Sequence, residues 1–132
     1  MIEIKVQSKG FNNSYDITDQ VKNVLPKLNK PSGLAKICVV GSTVGLTLMR
    51  YEPGTVKDLF NSLNMVAPMD KTYEHFHTTQ DQNGFAHVWS SLLGTNVVIP
   101  YKDYTLTCSD THRIILLDFD LRQANRTIYI DS

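Results

Sequence analysis

The fold is decided by residues 34–51, which read Leu34-Ala35-Lys36-Ile37-Cys38-Val39-Val40-Gly41-Ser42-Thr43-Val44-Gly45-Leu46-Thr47-Leu48-Met49-Arg50-Tyr51. The apolar run from Leu34 to Val40 is rich in β-branched residues and predicts a central strand. Residues 44–51 place their two leucines on one face at a spacing of two, which predicts another strand. The strongest strand signals of the chain therefore lie on either side of one short segment, Gly41-Ser42-Thr43.

Further strands and two helices are predicted around this segment. The other predicted strands are Ile2–Gln7, Tyr15–Ile17, Ala86–Leu93, Asn96–Ile99, Tyr104–Cys108, Arg113–Phe119 and Thr127–Ile130. Helices are predicted from Thr18 to about Leu28 and, from apolar residues at helical spacing, from Pro53 to Met65. Residues 69–86 are predicted as a loop of a length that is often functional, and residues 100–103 as a turn. Many strands with two helices and no βαβ alternation favour an α+β domain with a largely antiparallel or mixed sheet.

Composition limits the classes of function. The 132 residues are predicted to form one domain, 1–132, and 13 basic residues balance 13 acidic ones. A nucleic-acid binder would normally carry a basic excess, so we expect no nucleic-acid partner. No apolar run approaches transmembrane length, and the N-terminus lacks the apolar core of a signal peptide. We therefore expect a cytoplasmic protein without a membrane partner, whose Cys38 and Cys108 are buried and reduced.

Three of the four histidines, His75, His77 and His87, fall within thirteen residues and predict a site. Loops held by a rigid scaffold are where chemistry usually lies. On an extended segment His75 and His77 would point the same way and reach one metal ion. Catalytic zinc takes three nitrogen or oxygen ligands and leaves one position for water. The candidate third ligands are His112, Asp81 and Glu52.

Two other interpretations of these histidines stay open, because their spacing matches none of the compact zinc signatures. A histidine needs only a small environmental shift to act as an acid or base near neutral pH, with Asp81, Asp110 or Asn83 as its orienting partner. Alternatively the histidines have no chemical role. His77 is then a solvated loop residue and His87 a hydrogen-bonded strand residue.

Anion binding is the other function that the sequence suggests. In Gly41-Ser42-Thr43-Val44-Gly45 the glycines could let backbone N–H groups approach a phosphate, with charge supplied by Arg50 and Lys57. No lysine follows in the Walker arrangement, so the segment is not a P-loop, and a bulge between two strands is an equal interpretation. Arg122 and Arg126 flank a turn and are predicted to be surface charges or to serve a subunit interface.

Several short segments keep a common order along the chain. They are Gly41–Leu48, Tyr51–Leu59 (which begins Tyr-Glu-Pro-Gly), Tyr73-Glu74-His75, Asn83-Gly84-Phe85-Ala86-His87, Ser91-Leu92-Leu93-Gly94, Ile99-Pro100 and Asp118-Phe119-Asp120. Together they resemble the YjbQ family over roughly Ile4 to Ile130, and the Tyr-Glu-Pro-Gly segment looks most like archaeal members. That family is associated with a secondary thiamin-phosphate synthase activity.

The resemblance implies a compact α+β domain with a β-sandwich-like core, assembled as a homotrimer. The presumed site of the family maps onto His75, Asn83, His87, Ser42 and Thr43. The implied reaction joins a pyrimidine pyrophosphate to a thiazole phosphate, so the expected ligand is a small phosphorylated molecule. Because the negative charge on the leaving pyrophosphate must be stabilised, we expect Arg50, Arg113 and a Mg²⁺ ion to supply positive charge.

Three departures from the family pattern bear on this expectation. Gly41 stands where many members have a histidine, and Arg50 stands where an acid is usual. The family segment Gly-Thr-Trp-Gln is replaced by Ser109-Asp110-Thr111-His112, which removes an indole wall. The expected ligands of a divalent metal, zinc or magnesium, are His75, His87 and His112. The alternative to an active synthase is a catalytically altered or inactive oligomer that binds a metal ion or a small anion.

Overall fold

The computed structural model describes residues 1–132, which form eight strands and four α-helices. The strands are β1 (Ile2–Ser8), β2 (Asn13–Asp16), β3 (Gly33–Val39), β4 (Val44–Arg50), β5 (Asn96–Lys102), β6 (Thr105–Leu106), β7 (His112–Asp118) and β8 (Ala124–Asp131). The helices are α1 (Thr18–Val24), α2 (Pro53–Val66), α3 (Glu74–Thr79) and α4 (Gly84–Leu93).

The strands form two sheets, of order β1-β8-β3-β5-β6 and β2-β7-β4. All strand pairings are antiparallel, so no mixed sheet is present. The main core joins the two sheets, because alternate residues of each strand point inward. Ile37 and Ile128 of the larger sheet and Leu46 and Leu116 of the smaller one are buried there. The α+β fold class and its sandwich-like core are therefore confirmed.

A second core covers the other face of the smaller sheet, where α2 and α4 pack. Ile115 and Leu117 of β7 face these helices, while their neighbours along the strand face the main core. Trp89 of α4 is fully buried and donates from Nε1 to the Ala67 carbonyl at 2.8 Å. Edge-to-face packing of Trp89 against Phe119 adds to this attachment. The second core thus fixes the position of α4, whose first turns carry His87.

The sequence-based prediction for residues 69–93 is wrong in two places. Residues 86–93, predicted as a strand, belong to helix α4, and the predicted loop contains the short helix α3. The buried residues of α4, among them Ala86 and Trp89, recur at helical spacing. A short apolar run cannot be assigned to a strand or a helix from periodicity alone, which explains the error. The chain has four α-helices and not two main ones.

Smaller differences concern element ends and one cysteine. Helix α1 ends at Val24 and is followed by a 3₁₀ turn at Leu25–Lys27, whereas a single helix to Leu28 was expected. Strand β5 continues through residues 100–102, because it pairs with both β3 and β6. Both cysteines are free thiols as expected, but neither is buried: Cys38 is exposed on the outer face of β3 and Cys108 is partly exposed. None of the helices combines the length and the apolar character needed to cross a membrane.

Candidate functional site

His75 and His87 form a pair at the junction of α3 and α4. Their ring centroids lie 4.6 Å apart and the rings meet edge to face at 74°. His77 does not join them, because residues two apart on an α-helix point in nearly opposite directions. The expectation that His75 and His77 share one side of an extended segment is therefore wrong, and His77 is exposed.

The tautomer of His87 is set by the segment between β3 and β4. Its Nδ1 lies 2.9 Å from the backbone carbonyl oxygen of Ser42. A carbonyl oxygen can only accept, so Nδ1 carries the proton and donates. The lone pair of neutral His87 is consequently on Nε2, which has no hydrogen-bond partner within the chain.

His75 has the opposite arrangement. Its Nε2 lies 3.1 Å from Oδ1 of Asn83 and 3.3 Å from Oγ1 of Thr79. Because the amide oxygen of Asn83 accepts, Nε2 of His75 is protonated and the lone pair is on Nδ1. The pair therefore has one nitrogen anchored on each ring and one nitrogen on each ring available to a ligand or a proton.

A cavity of about 470 Å³ opens beside the histidine pair. Its wall includes Lys71 and Tyr73, and the Lys71 ammonium lies 5.2 Å from the centre of the Tyr73 ring. Burial, together with the charge of Asp70, raises the pKa of Tyr73, whose hydroxyl donates to the Pro68 carbonyl at 2.7 Å. Lys71 makes no ion pair with a carboxylate of the chain. The cavity therefore combines two imidazoles with one cation, Lys71, and one carboxylate, Glu74.

Gly84 allows Tyr73 to approach the start of α4. A Cβ atom at position 84 would lie 2.6 Å from Cβ of Tyr73, closer than two carbon atoms can pack. Only glycine fits between the helix and this side chain. The close approach brings Tyr73 to the mouth of the cavity.

Thr43 fixes the segment whose Ser42 carbonyl holds His87. Its Oγ1 donates to Asp120 Oδ2 at 2.8 Å and accepts from Nη2 of Arg126 at 3.2 Å. Its backbone carbonyl accepts from the N–H of Phe119 at 2.9 Å. Burial raises the pKa of Asp120, but the hydrogen bonds from Thr43 and from the Arg122 N–H outweigh it, so the pKa lies below its ordinary value.

Arg126 lies beneath this segment and is not the surface charge that its position beside a turn indicated. Its Nε and Nη2 donate to the two oxygens of fully buried Asp118, at 2.8 Å and 2.9 Å. The hydrogen bond to Asp118 raises the pKa of Arg126, whose side chain is only 11% exposed. The alternation along β8 indicates that Arg126 is buried, since position 126 shares a face with the buried Ile128 and Ile130.

Arg50, Arg113 and His112 lie at the other end of the smaller sheet. In the β4–β7 pair, Val44 is opposite Asp118 and Arg50 is opposite His112. Six strand residues separate these two levels, a distance of about 20 Å. The Arg113 guanidinium bonds Asp16 at 2.8 Å and Asp19 at 3.3 Å. Within one chain these residues are therefore not brought to the histidine pair.

The residues present fit a metal ion only in part. No group of three or more His, Cys, Asp or Glu side chains is placed to hold one. Glu52 instead caps α2 by accepting from the N–H groups of Gly54 and Thr55. Zinc would find two imidazole nitrogens here, one fewer than its catalytic sites usually provide, and magnesium prefers oxygen ligands. A zinc ion would need ligands from outside this chain.

Comparisons with known proteins show which family this chain resembles. A family model described as "UPF0047 protein YjbQ-like" matches residues 2–132. The chain is 31% identical over 113 residues to a UPF0047 protein of Archaeoglobus fulgidus, covering 86% of each. It is 28% identical over 106 residues to a UPF0047 protein of Methanocaldococcus jannaschii, covering 80% of this chain and 74% of that protein.

Solved structures share the fold. A YbjQ-like protein of unknown function from Sulfolobus solfataricus superimposes with a TM-score of 0.85 at 23% identity, over 99% of this chain and 96% of the other. An uncharacterised protein of the yjbq/upf0047 family from Clostridium acetobutylicum gives a TM-score of 0.86 at 23% identity, over 99% and 98%. At this level of identity the likeness concerns the fold alone.

Proposed function

The chain belongs to the UPF0047 YjbQ-like family, and from that premise we propose that it is an enzyme of the secondary thiamin-phosphate synthase type. Its ligand is a small phosphorylated molecule bound at the His75–His87 pair. The single observation that carries the proposal is this pair, whose rings lie 4.6 Å apart and each keep one nitrogen without a hydrogen-bond partner in the chain. Two imidazoles held in fixed orientations beside a cavity are typical of a binding or catalytic site.

The proposed reaction requires that the leaving pyrophosphate anion be stabilised. The nitrogen of the thiazole phosphate attacks the methylene carbon of the pyrimidine pyrophosphate. As the new C–N bond forms, the C–O bond breaks and its electron pair leaves with pyrophosphate. Donors aimed at the developing negative charge lower the barrier.

His87 and Lys71 are the residues that meet this need. An anion beside Nε2 of His87 favours the protonated imidazole, which then donates a charge-assisted hydrogen bond. The Lys71 ammonium on the cavity wall supplies a second positive charge. We assign these roles to Lys71 and His87 in place of Arg50 and Arg113, because both arginines lie at the far end of the sheet.

His75 presents a second ring nitrogen to the ligand. Its Nε2–H group is held by Asn83, which leaves Nδ1 for the ligand. Asn83 therefore positions His75 and does not itself contact the reacting atoms.

The test is formation of thiamin phosphate from the two phosphorylated substrates by the purified protein. His87→Ala should remove product formation, and Lys71→Ala should raise KM for the pyrophosphate substrate. His77→Ala is the matched control, because His77 lies on the same helix as His75 but points away from the cavity, so its turnover should be unchanged. Full turnover by His87→Ala would contradict the proposal.

The second candidate is an inactive oligomer that binds a metal ion or a small anion. It is favoured by the two-histidine site, beside which no third His, Cys, Asp or Glu side chain is placed to complete a metal centre. Elemental analysis of the purified protein, with His77→Ala as the control for His87→Ala, separates the two. Bound zinc that is lost only in His87→Ala, together with no synthase activity, would support this candidate.

We propose a homotrimer as the assembly. Leu34 and Val98 project from the outer face of the larger sheet and are 52% and 51% exposed. The family resemblance implies the trimer, and we assign these two side chains on adjacent strands to its interface. Light scattering should give a mass three times that of the chain. A monomer mass at micromolar concentration would contradict the trimer.

A further inference from the structure

The backbone that holds His87 is anchored on both sides of Ser42 but not at Ser42 itself. The N–H group of Val40 donates to a backbone carbonyl of β8 at 3.0 Å, and the carbonyl of Thr43 accepts from the N–H group that follows β7 at 2.9 Å. The Ser42 carbonyl lies between these anchors and bonds to His87 and to no other group of the chain. Its direction therefore depends on the two residues that flank Ser42, which are Gly41 and Thr43.

The guanidinium of Arg126 contacts both flanking residues. Its Nη2 donates to Oγ1 of Thr43 at 3.2 Å. Its Nη1 lies against Gly41, 3.3 Å from the point at which a Cβ atom of that residue would stand. Gly41 has a φ of +147° and, as a glycine, supplies little conformational restraint of its own. The guanidinium thus spans residues 41–43 and is the group that restrains them.

The guanidinium is itself held in one orientation. Both oxygens of the buried Asp118 accept from it, from Nε at 2.8 Å and from Nη2 at 2.9 Å. Two parallel hydrogen bonds fix the plane of a guanidinium as well as its position. A lysine ammonium is a compact point charge on a flexible stem, so it would keep the charge pair without fixing a plane. Arg126 therefore supplies orientation in addition to charge.

The direction of the Ser42 carbonyl matters because a neutral imidazole has two tautomers. The hydrogen bond made by one ring nitrogen decides which tautomer is present. A carbonyl aimed at Nδ1 of His87 requires the proton on that nitrogen and leaves the lone pair on Nε2. If the carbonyl turned away, Nδ1 would lose its acceptor and the proton could occupy either nitrogen.

We propose that Arg126 is a positioning residue of the His75–His87 site, which aims the Ser42 carbonyl at His87 and so keeps His87 in the Nδ1–H tautomer. Arg126 acts through the backbone of residues 41–43 and makes no hydrogen bond to the imidazole. This role rests on the function proposed for the pair, because it concerns the nitrogen of His87 that faces a ligand. The tautomer itself can be measured without any ligand.

The test is the tautomer of each histidine ring, read by NMR from correlations between ring hydrogens and ring nitrogens in the ligand-free protein. Alkaline solution keeps the imidazoles neutral. His87 of the parent should be entirely Nδ1–H, and Arg126→Lys should give a mixture of both tautomers. His75 should keep its Nε2–H tautomer in both proteins, since Asn83 holds it. Arg113→Lys is the matched control, because it makes the same change in an ion pair at the far end of the smaller sheet. It should leave His87 unchanged.

Thr43→Val decides the same question if Arg126→Lys does not fold. It keeps the Arg126–Asp118 pair and removes the hydroxyl through which Arg126 holds the segment. It should also give mixed tautomers at His87, and Thr43→Ser, which retains a hydroxyl, should keep the ring in the Nδ1–H form. A folded Arg126→Lys or Thr43→Val protein in which His87 stays entirely Nδ1–H would overturn the role of Arg126.

Pyrophosphate binding separates this role from the proposed function. Arg126→Lys should weaken the binding of inorganic pyrophosphate by about tenfold, the loss of roughly one good hydrogen bond, whereas Arg113→Lys should not. A parent protein that shows the Nδ1–H tautomer but binds no pyrophosphate would count against the function proposed for the pair and leave the positioning role supported. Mixed tautomers of His87 in the ligand-free parent would contradict the positioning role, whatever the pyrophosphate affinity.

Discussion

His87 donates from Nδ1 to the backbone carbonyl of Ser42 at 2.9 Å, although the two residues are separated by 45 positions in the sequence. This bond joins helix α4 to the segment between β3 and β4. It also decides which ring nitrogen of His87 is left for a ligand. The geometry of the candidate site therefore depends on how firmly residues 41–43 are held.

Thr43→Val should loosen that segment. The change removes the hydroxyl that donates to Asp120 and accepts from Arg126, while keeping the side-chain volume. We expect a loss of about 1–3 kcal/mol in the free energy of unfolding, the range for leaving a buried polar partner unsatisfied. Urea denaturation measures it. Thr47→Val is the control, since the Thr47 hydroxyl makes only a long 3.4 Å contact, and an equal loss in both variants would contradict the role of Thr43.

Arg126→Gln should be the more damaging of two arginine substitutions. It leaves the fully buried carboxylate of Asp118 without its cation, which typically costs about 3–5 kcal/mol. Arg113→Gln breaks an ion pair with Asp16 that is closer to solvent, and about 0–1 kcal/mol is expected. Thermal or urea unfolding compares them. Equal effects would mean that the Arg126–Asp118 pair does not support the core.

Acid should destabilise the fold through Asp16 and Asp120. For both groups, burial raises the pKa, but hydrogen bonds outweigh it and the folded-state pKa lies below the ordinary value of 3.8. The unfolded chain binds these protons first, so the stabilisation is complete above the ordinary value and is lost as pH falls through the lower, folded-state pKa. Unfolding free energy measured from pH 2 to pH 6 should fall below about pH 4.

Asp120→Asn identifies the share of this pH dependence that belongs to Asp120. The variant should be less stable than the parent at pH 6 and should lose less stability on acidification. Identical slopes for parent and variant between about pH 2 and pH 4 would exclude Asp120 as a contributor.

Gly84→Ala should strain the contact between α4 and Tyr73. The added Cβ would lie 2.6 Å from Cβ of Tyr73, so either the helix or the tyrosine must move. We expect about 1–3 kcal/mol of destabilisation from overpacking. Gly33→Ala is the matched control, because its Cβ would lie at an ordinary 3.5 Å from the Tyr101 ring. A Gly84→Ala variant as stable as the Gly33→Ala variant would contradict the close packing.

The sequence was sufficient for most strands and for the grouping of His75, Asn83 and His87. Period-two alternation marks strands well where one face is buried, as in β1 and β8. The resemblance placed the two histidines and the asparagine in one site, and the structure brings them together. This grouping could be predicted without recognising α4 as a helix. His75, Asn83 and His87 lie so few residues apart that they stay close whether the segment is a strand or a helix.

The sequence could not predict which residues lie together at each end of the smaller sheet. Whether Arg50 and His112 lie near His87 depends on the register of β4 against β7, which is a property of the folded chain. The neighbouring turn suggests that Arg126 is at the surface. Arg126 and Ile128 are two residues apart on β8, however, so both side chains point to the buried face of the strand. Local pattern thus located the candidate site but not the charged residues around it.

The most direct measurement of the central claim is a titration of the protein with inorganic pyrophosphate, followed by the ring signals of its four histidines in NMR spectra. The signals of His75 and His87 should move together and saturate at one ligand concentration, with His87 protonated at Nδ1 before ligand is added. The signals of His77 and His112 should stay in place. If all four moved alike, or if His75 and His87 remained unchanged, the histidine pair would not be the site of a phosphorylated ligand.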